Sequence, residues 1–226
     1  MELNADFAAR AAVHDRDNPW RASPMAGVER KMLDRIGDEV ARATSIVRYA
    51  PGSSFSRHTH GGGEEFLVLD GVFQDEHGDY PAGSYVRNPP GTSHTPGSAP
   101  GCTILVKLWQ FDPQDLTQLR YQTEFPDFTA DPARPGVQVQ PLFASDREDV
   151  AHEIWAAASA VSIDTDGGAE LYVVEGEFEE AGERFSAGSW LRLPDGYEAR
   201  ITTLDQPVKI WRKTGHLRHI RLPEAG

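Results

Sequence analysis

The sequence is poor in cysteine, in positive charge and in long hydrophobic runs. Cys102 is the one cysteine among 226 residues, which excludes an internal disulfide framework and a cysteine-rich zinc site. Because it lies in the apolar run CTILVKLWQF, we expect a buried thiol rather than a reactive one. The 35 acidic residues outnumber the 22 lysines and arginines, so the net charge is −13. Nucleic acids and anionic membranes reward clustered basic side chains, and neither is expected as a partner.

Targeting and membrane-spanning segments are also missing from the pattern. The opening MELNADFAAR has neither a basic n-region nor an apolar h-region. No apolar run approaches the roughly 20 residues that cross a bilayer. We therefore expect a soluble, cytoplasmic protein.

Glycine and proline are abundant, and their placement predicts an all-β chain. The 21 glycines and 16 prolines bound short apolar runs such as EEFLVLDG and SYVRNPPG. Residues 27–42 fit a helical spacing but contain the turn signal Gly37-Asp38, and we interpret them as two strands. Residues 148–160 fit either a short helix or an extended segment. The first 25 residues read as a polar arm with one apolar anchor, Trp20.

Internal similarity indicates a duplicated domain. Three segments recur: VLDGVF at 68–73 as VVEGEF at 173–178, PAGSYVRNPPG at 81–91 as SAGSWLRLPDG at 186–196, and VKLW at 106–109 as VKIW at 208–211. The offset is 105 in the first two pairs and 102 in the third. A polar linker rich in proline and aspartate separates the copies, so we assign residues 1–120 and 121–226 to two domains.

The first repeat carries a set of metal-ligand residue types. His58 and His60 stand two positions apart, so on a strand both side chains point to one face. Glu64 can approach from the next strand after a glycine turn, and His94 follows the turn NPPGTS. Three imidazoles and a carboxylate suit zinc, iron, nickel or manganese, and one or two coordination positions could stay open for a small-molecule ligand.

These residues resemble the two motifs of the cupin superfamily. PGSSFSRHTHGGGEEFLVLDG fits the first motif and GSYVRNPPGTSH fits the second, at the following positions: Gly52, His58, His60, Glu64 and Gly71, then Gly83, Pro89, Gly91 and His94. The asparagine that closes the second motif is Ser98 here, which places one turn contact in question. The resemblance implies two double-stranded β-helix jelly-roll barrels in tandem, a bicupin, with a metal ion inside one of them.

Within the cupins, residues 18–115 are similar to the ChrR-like group. This resemblance implies either a metal-dependent enzyme, similar to acetylacetone-cleaving dioxygenases, or a zinc-binding regulator related to the anti-sigma factor ChrR. We expect no sigma-factor binding, because the cupin pattern begins near residue 20 and leaves no room for a zinc-binding anti-sigma module. The resemblance favours zinc or iron, leaves nickel and manganese open, and allows a homodimer.

Motif spacing selects one of two adjacent glutamates. The six residues between Glu64 and Gly71 make Glu64 the ligand, so Glu65 would point away. The offset of 105 places four residues of the second repeat at the ligand positions: Ile163, Thr165, Ala169 and Ala199. None is a metal ligand, so we expect a structural second barrel.

Further residues near the site are candidates for the pocket or for an outer layer around the metal, and the alternatives are solvent exposure for the charged ones and core packing for the aromatic ones. They are Arg48, Tyr49, Phe66, Arg87 and Lys107, with Tyr85 and Trp109 as further pocket candidates. Arg48 and Tyr49 are strand neighbours, so at most one of them faces inward. The remaining histidines show no partner pattern, and we interpret them as surface residues: His14, His77, His152, His216 and His219.

Overall fold

The computed structural model describes residues 1–122 and 127–223, and these are almost entirely β-structure. The one helical element in the described ranges is a 3-10 turn, η1, at Asp15–Asp17. No helix among these residues has the length and apolarity needed to cross a bilayer. The all-β prediction is therefore confirmed.

The strands are short and numerous, as the glycine and proline pattern predicts. The first fourteen are β1 (Glu2–Leu3), β2 (Ala11–Val13), β3 (Arg21–Ala22), β4 (Val28–Gly37), β5 (Ala41–Tyr49), β6 (Ser53–Ser54), β7 (His58–Thr59), β8 (Glu64–Asp75), β9 (Gly78–Pro81), β10 (Tyr85–Asn88), β11 (Ser93–His94), β12 (Gly97–Ser98), β13 (Cys102–Leu108) and β14 (Leu119–Tyr121). The remaining ten are β15 (Thr129–Ala130), β16 (Val137–Ala144), β17 (Asp149–Trp155), β18 (Ala160–Val161), β19 (Ala169–Glu175), β20 (Glu177–Glu180), β21 (Glu183–Ser186), β22 (Trp190–Leu193), β23 (Ile201–Thr203) and β24 (Val208–Thr214).

Two segments with ambiguous patterns are resolved as strands. Residues 27–42 contain β4, which ends at Gly37, and the start of β5. Gly37 has φ +115°, which explains why a turn interrupts the helical spacing there. The segment at 148–160 contains β17, whose residues pair with both β16 and β24. Because the two neighbouring strands provide backbone hydrogen-bond partners along the whole of β17, the segment is extended despite its helical spacing.

The chain forms two compact units of similar topology. The first comprises Met1–Ala5, Pro19–Phe125 and Arg221–Gly226, and the second comprises Asp6–Asn18 and Pro126–Ile220. The first unit contains the antiparallel order β4-β5-β13-β8-β10, and the second contains β16-β17-β24-β19-β22. These orders match strand for strand across the repeat, which supports the duplication.

The boundary between the units is not a single cut near residue 120. The first unit is completed by a strand that lies just before the second repeat, and the second unit is completed by a strand that lies before the first repeat. β14 pairs with β10 in the first unit, and β2 pairs with β22 in the second. The registers are equivalent, since Leu119 opposes Arg87 and Ala11 opposes Arg192. Residues 6–18 of the polar arm are therefore a structural part of the second unit, whereas the rest of the arm belongs to the first.

One of the three repeat alignments is wrong. Leu105 opposes Leu67 in the first unit, and Trp211 opposes Tyr172, the equivalent of Leu67, in the second. The last strands are thus related by an offset of 106, so VKLW does not align with VKIW. Strand pairing determines register, and a four-residue likeness between apolar strands is too short to do so.

Each unit has its own apolar core. The first unit's core cluster includes Phe66, Phe73, Tyr80 and Val86, and it packs between the sheet strands around the barrel interior. The second unit's cluster includes Trp155, Phe178 and Phe185 and extends to Ile163 and Ala199. Those last two residues occupy the positions of His58 and His94, so apolar packing replaces the ligand set there.

Candidate metal centre

Two short strands hold the histidines in register. β7 pairs with β11 so that His94 lies directly opposite His58. The next residue inward, His60, is fixed by its backbone, which donates to Thr92 O at 2.9 Å and accepts from Gly91 N at 2.9 Å. The NPPG turn predicted from the sequence thus positions both His60 and His94.

The four predicted ligands converge on one point. Their ligand atoms all lie within 4.8 Å of one another. The ring centroids are 5.2 Å apart for His58 and His60, 5.0 Å for His58 and His94, and 4.7 Å for His60 and His94. Glu64 Oε1 lies 3.5 Å from His60 Nε2 and 3.4 Å from His94 Nε2. This arrangement could hold one metal ion.

The tautomer of His60 follows from its neighbours. Its Nδ1 lies 2.9 Å from Thr92 Oγ1, and the same hydroxyl donates to Pro89 O at 2.7 Å. Since the hydroxyl proton is directed to Pro89, Thr92 Oγ1 accepts from His60 Nδ1–H. The lone pair of His60 is therefore on Nε2, which points to the other ligands.

The other two imidazoles are oriented in the same way. His94 Nδ1 lies 3.2 Å from Asp75 Oδ2, and His58 Nδ1 lies 3.1 Å from Ser56 O. Asp75 is itself held by the backbone N–H of His77 at 2.8 Å and by the hydroxyl of Tyr80 at 3.3 Å. An acceptor on each Nδ1 leaves each Nε2 free to bind a metal ion.

Two buried nitrogen atoms of the cluster, His60 Nε2 and His94 Nε2, lack a hydrogen-bond partner among the described residues. Leaving such atoms without a partner costs free energy, and a metal ion would satisfy both. Three imidazole nitrogens and a carboxylate oxygen form a donor set that borderline divalent metals accept. The residues present therefore fit a metal ion.

The pKa values of His60 and His94 are shifted in opposite directions. Burial lowers the pKa of His60 and favours the neutral form that binds metals. Burial acts in the same direction on His94, but the hydrogen bond to Asp75 and the charge of Glu64 raise its pKa overall. Burial opposes ionisation of Asp75, yet the hydrogen bonds from His94 and from the His77 backbone lower its pKa. Asp75 therefore remains a carboxylate that supports His94.

The adjacent glutamates point to opposite faces of β8, as strand alternation requires. Glu64 lies at the ligand cluster, where Asn88 Nδ2 donates to its Oε1 at 3.4 Å. Glu65 is 1% exposed on the other face, where the Tyr85 hydroxyl donates to it at 2.5 Å and Arg87 approaches to 3.4 Å. The structure thus places Glu64, and not Glu65, with the histidines.

A cavity of about 510 Å³ opens in front of the four ligands. Its wall is mainly apolar and includes Val47, Tyr49, Phe55 and Ile104. Burial raises the pKa of Tyr49 well above its usual value, and the charge of Glu64 acts in the same direction. Tyr49 therefore stays a neutral phenol within the cavity.

Of the five pocket or outer-layer candidates, Tyr49 lies in the cavity wall and the other four lie elsewhere. Arg48 is on the outer face, where it pairs with Glu29 at 2.6 Å. Phe66 packs in the core against Phe73, with ring centroids 4.4 Å apart. The other pocket candidates divide likewise, since Trp109 lines the cavity and Tyr85 donates to Glu65 on the opposite face.

Arg87 and Lys107 share the face of the sheet that is turned away from the ligands. Both oppose Glu65 in the β-ladder, so alternation directs their side chains away from Glu64. Their equivalents by strand pairing, Arg192 and Lys213, are buried in the second unit, whose described residues contain no cluster of metal-ligand residues. A network retained without the ligands belongs to the barrel scaffold.

Sequence reasoning missed the outer partners Thr92 and Asp75. Thr92 lies two residues before His94, within the motif already recognised, and its alternation with His94 was an available signal. Asp75 is at the far end of β8, and only the hairpin back to His94 brings it near. Ser98, which departs from the motif, still makes a turn contact by donating to Val72 O at 2.6 Å.

The interpretation of the remaining histidines as surface residues is wrong for two of them. His152 is 3% exposed, and its Nδ1 lies 3.3 Å from Gln140 Oε1. The His216 side chain is 4% exposed and lies 2.8 Å from Glu170. Both belong to the second unit. His77 and His219 are exposed, as expected, and His14 is partly buried against Glu183.

Comparison with known proteins supports the family suggested by the motifs. Residues 8–112 match the family model described as the ChrR cupin-like domain. A sequence search against curated proteins gives no match.

Similar folds occur among solved structures. A candidate dioxygenase from Nostoc punctiforme is 12% identical over 100% of this chain and 86% of its own, with a TM-score of 0.66. The pirin YhhW of Escherichia coli, in complex with nickel(II), is 14% identical over 92% of this chain and 99% of its own, with a TM-score of 0.65. A variant oxalate decarboxylase from Bacillus subtilis is 13% identical over 91% and 77%, with a TM-score of 0.59.

At these sequence identities the solved structures establish the fold alone. The match to the family model identifies the ChrR-like group within that fold. The family model covers the repeat that contains the four converging ligands. Residues 8–112 thus form a ChrR-like cupin domain, and the chain as a whole has the fold of the cupin structures to which it is similar.

Proposed function

We propose that this chain is a mononuclear metal-dependent oxygenase that acts on a carbonyl or diketone compound. The observation that carries the proposal is the pair of buried, unpartnered Nε2 atoms of His60 and His94 beside Glu64 and His58. They face a cavity that can admit an organic ligand.

The roles of the residues follow from their contacts. His58, His60, His94 and Glu64 would hold the ion, which when bound supplies a Lewis acid and open coordination positions for substrate and dioxygen. Thr92 and Asp75 keep their imidazole partners in the Nδ1–H tautomer. The mainly apolar wall lowers the local dielectric around a carbonyl oxygen bound there and so strengthens its electrostatic contacts.

Oxygen uptake tests this function directly. The protein is first loaded with one equivalent of iron(II) under anaerobic conditions and is then mixed with 2,4-pentanedione and oxygenated buffer. Under these conditions it should consume dioxygen. With ¹⁸O₂ in the buffer, the label should enter the organic products. Zinc-loaded protein and iron-treated Glu64→Gln are the controls, and neither should consume dioxygen. Absence of uptake across a panel of diketones and simple ketones, in protein with stoichiometric iron, would reject the oxygenase.

A regulator without turnover is the second candidate, favoured by the family match. The matching model takes its description from ChrR. Under this alternative the site would retain zinc tightly after purification without chelator and would show no reaction with carbonyl compounds. Loss of zinc to mild chelation would count against it.

A further inference from the structure

The cavity at the ligand set is larger and more apolar than a five-carbon diketone needs. Its volume of about 510 Å³ is in the range that buries drug-sized molecules. Beyond the ligands its wall includes Phe55, Val106, Leu108 and Trp109. A ligand that used this wall would carry an apolar chain or ring attached to its metal-binding end.

A second, outer cavity of about 980 Å³ adjoins the first. The two cavities share four lining residues: Glu39, Val40, Gly61 and Trp109. Three of the four exposed large hydrophobic side chains in the described ranges also line the outer cavity: Met1, Val40 and Leu222. Among the four residues that line both cavities, Trp109 has the largest side chain.

Trp109 is held in an unusual backbone conformation. Its φ is +60°, a value that is rare for a bulky residue. The backbone is fixed there because Trp109 N donates to Gly63 O at 3.0 Å and Phe111 N donates to Gly62 O at 3.2 Å. Strained residues of this kind persist only where the surroundings determine them, and they cluster at functional sites.

The glycines between the ligands make room for this indole. A Cβ on Gly61 would lie 2.8 Å from Trp109 Cζ2, and a Cβ on Gly62 would collide with Trp109 Cδ2. Neither glycine has positive φ, so close approach of the indole explains both. The glycine segment that follows His60 thus serves to seat Trp109 against the metal-ligand loop.

From this geometry we propose that Trp109 is a specificity-determining wall that limits the length of an apolar chain on the ligand. The proposal rests on the proposed function, in that the ligand's carbonyl end binds at the metal. A chain short enough for the inner cavity gains from each buried methylene, and a longer chain meets the indole. Removing the indole joins the inner and outer cavities.

A chain-length series tests the wall. Zinc-loaded protein is titrated calorimetrically with alkane-2,4-diones from 2,4-pentanedione to 2,4-tetradecanedione. In the wild type, affinity should rise by up to about fourfold per methylene and then level off or fall. In Trp109→Ala the rise should continue to longer members. Trp20→Ala removes another partly buried tryptophan, one that lines neither cavity, and should give the wild-type profile.

A second variant guards against misfolding. Trp109→Gly suits the positive φ at this position and should give the same extended profile as Trp109→Ala. Equal chain-length profiles in the wild type and in a folded Trp109 variant would overturn the wall. So would affinity that does not depend on chain length.

The two proposals fail in different ways. If zinc does not bind at one equivalent, the proposed function fails, and the wall is then tested by calorimetric titration of metal-free protein with 1-alkanols from hexanol to dodecanol. A cut-off in the wild type that is lost in Trp109→Gly would support the wall, and the same cut-off in both would reject it. If zinc and short diones bind but the profiles coincide, the wall alone fails.

Discussion

At the scale of single residues, neighbours in sequence have separate tasks because successive strand positions face opposite sides. Glu64 meets the histidines, while Glu65 pairs with Arg87 in the buried network behind the sheet. The convergence of the four candidate ligands was predictable from the sequence, because motif spacing encodes it directly. The position of the candidates Arg87 and Lys107 was not predictable, because proximity in sequence does not state which face a strand residue occupies.

The scaffold role of Glu65 leads to a stability prediction. Glu65→Gln removes one charge from a buried pair, so it should lower the free energy of unfolding by roughly 3–5 kcal/mol. Metal stoichiometry in the folded variant should stay at that of the wild type. Denaturant unfolding and elemental analysis measure the two quantities, and a loss of metal with unchanged stability would contradict the assignment.

The hydroxyl of Thr92 should tune metal affinity without binding the metal. Thr92→Val removes the acceptor for His60 Nδ1–H, and affinity should fall by about 10–100-fold. Thr95→Val changes an exposed threonine nearby and is the control. Competition with a chelator of known affinity gives both values, and equal affinities in the two variants would show that Thr92 does not orient the ligand.

The buried His152 should make the second unit sensitive to acid. Burial, assisted by the charge of Lys209, lowers the pKa of His152 from 6.5 to about 3. Between these pH values the unfolded chain binds a proton that the folded chain does not, so stability falls as pH falls, by up to about 1.4 kcal/mol per pH unit. His152→Gln should show a shallower loss from pH 6.5 to 4 in urea unfolding, and an unchanged slope would argue against the shifted pKa.

At the scale of elements, strand pairing decides what local pattern leaves open. The two readings of residues 148–160 were equivalent in sequence, and only the ladders of β17 with β16 and β24 select the strand. The pairing of β2 with β22 and of β14 with β10 was not predictable. Both strands have three residues, and so short a sequence does not indicate a distant pairing partner. Pairing also shows that VKLW and VKIW are out of register.

The strand β2 should contribute to the stability of the second unit. Ala12 packs against that unit's core cluster, so Ala12→Asp would place a carboxylate against apolar side chains. We expect a loss of roughly 2–4 kcal/mol in unfolding free energy. Ala22→Asp, at an exposed position of β3, is the control and should change stability little. Similar losses in both variants would contradict the role of β2.

At the scale of the whole molecule, the two repeats share a scaffold, and the candidate ligands lie in one of them. Glu65 and Arg87 recur as Glu170 and Arg192, all buried. The ligand positions instead hold residues such as Ile163 and Ala199, which pack on an apolar core. The described ranges contain one cluster of metal-ligand residues, and it lies in the first unit.

The measurement that tests this account most directly is the metal content of protein purified without chelator or metal-affinity resin and then saturated with zinc. The account predicts about one tightly held equivalent per chain in the wild type and in Glu65→Gln, and none in Glu64→Gln. Two equivalents in the wild type, or a full equivalent retained by Glu64→Gln, would contradict a single centre built on His58, His60, Glu64 and His94.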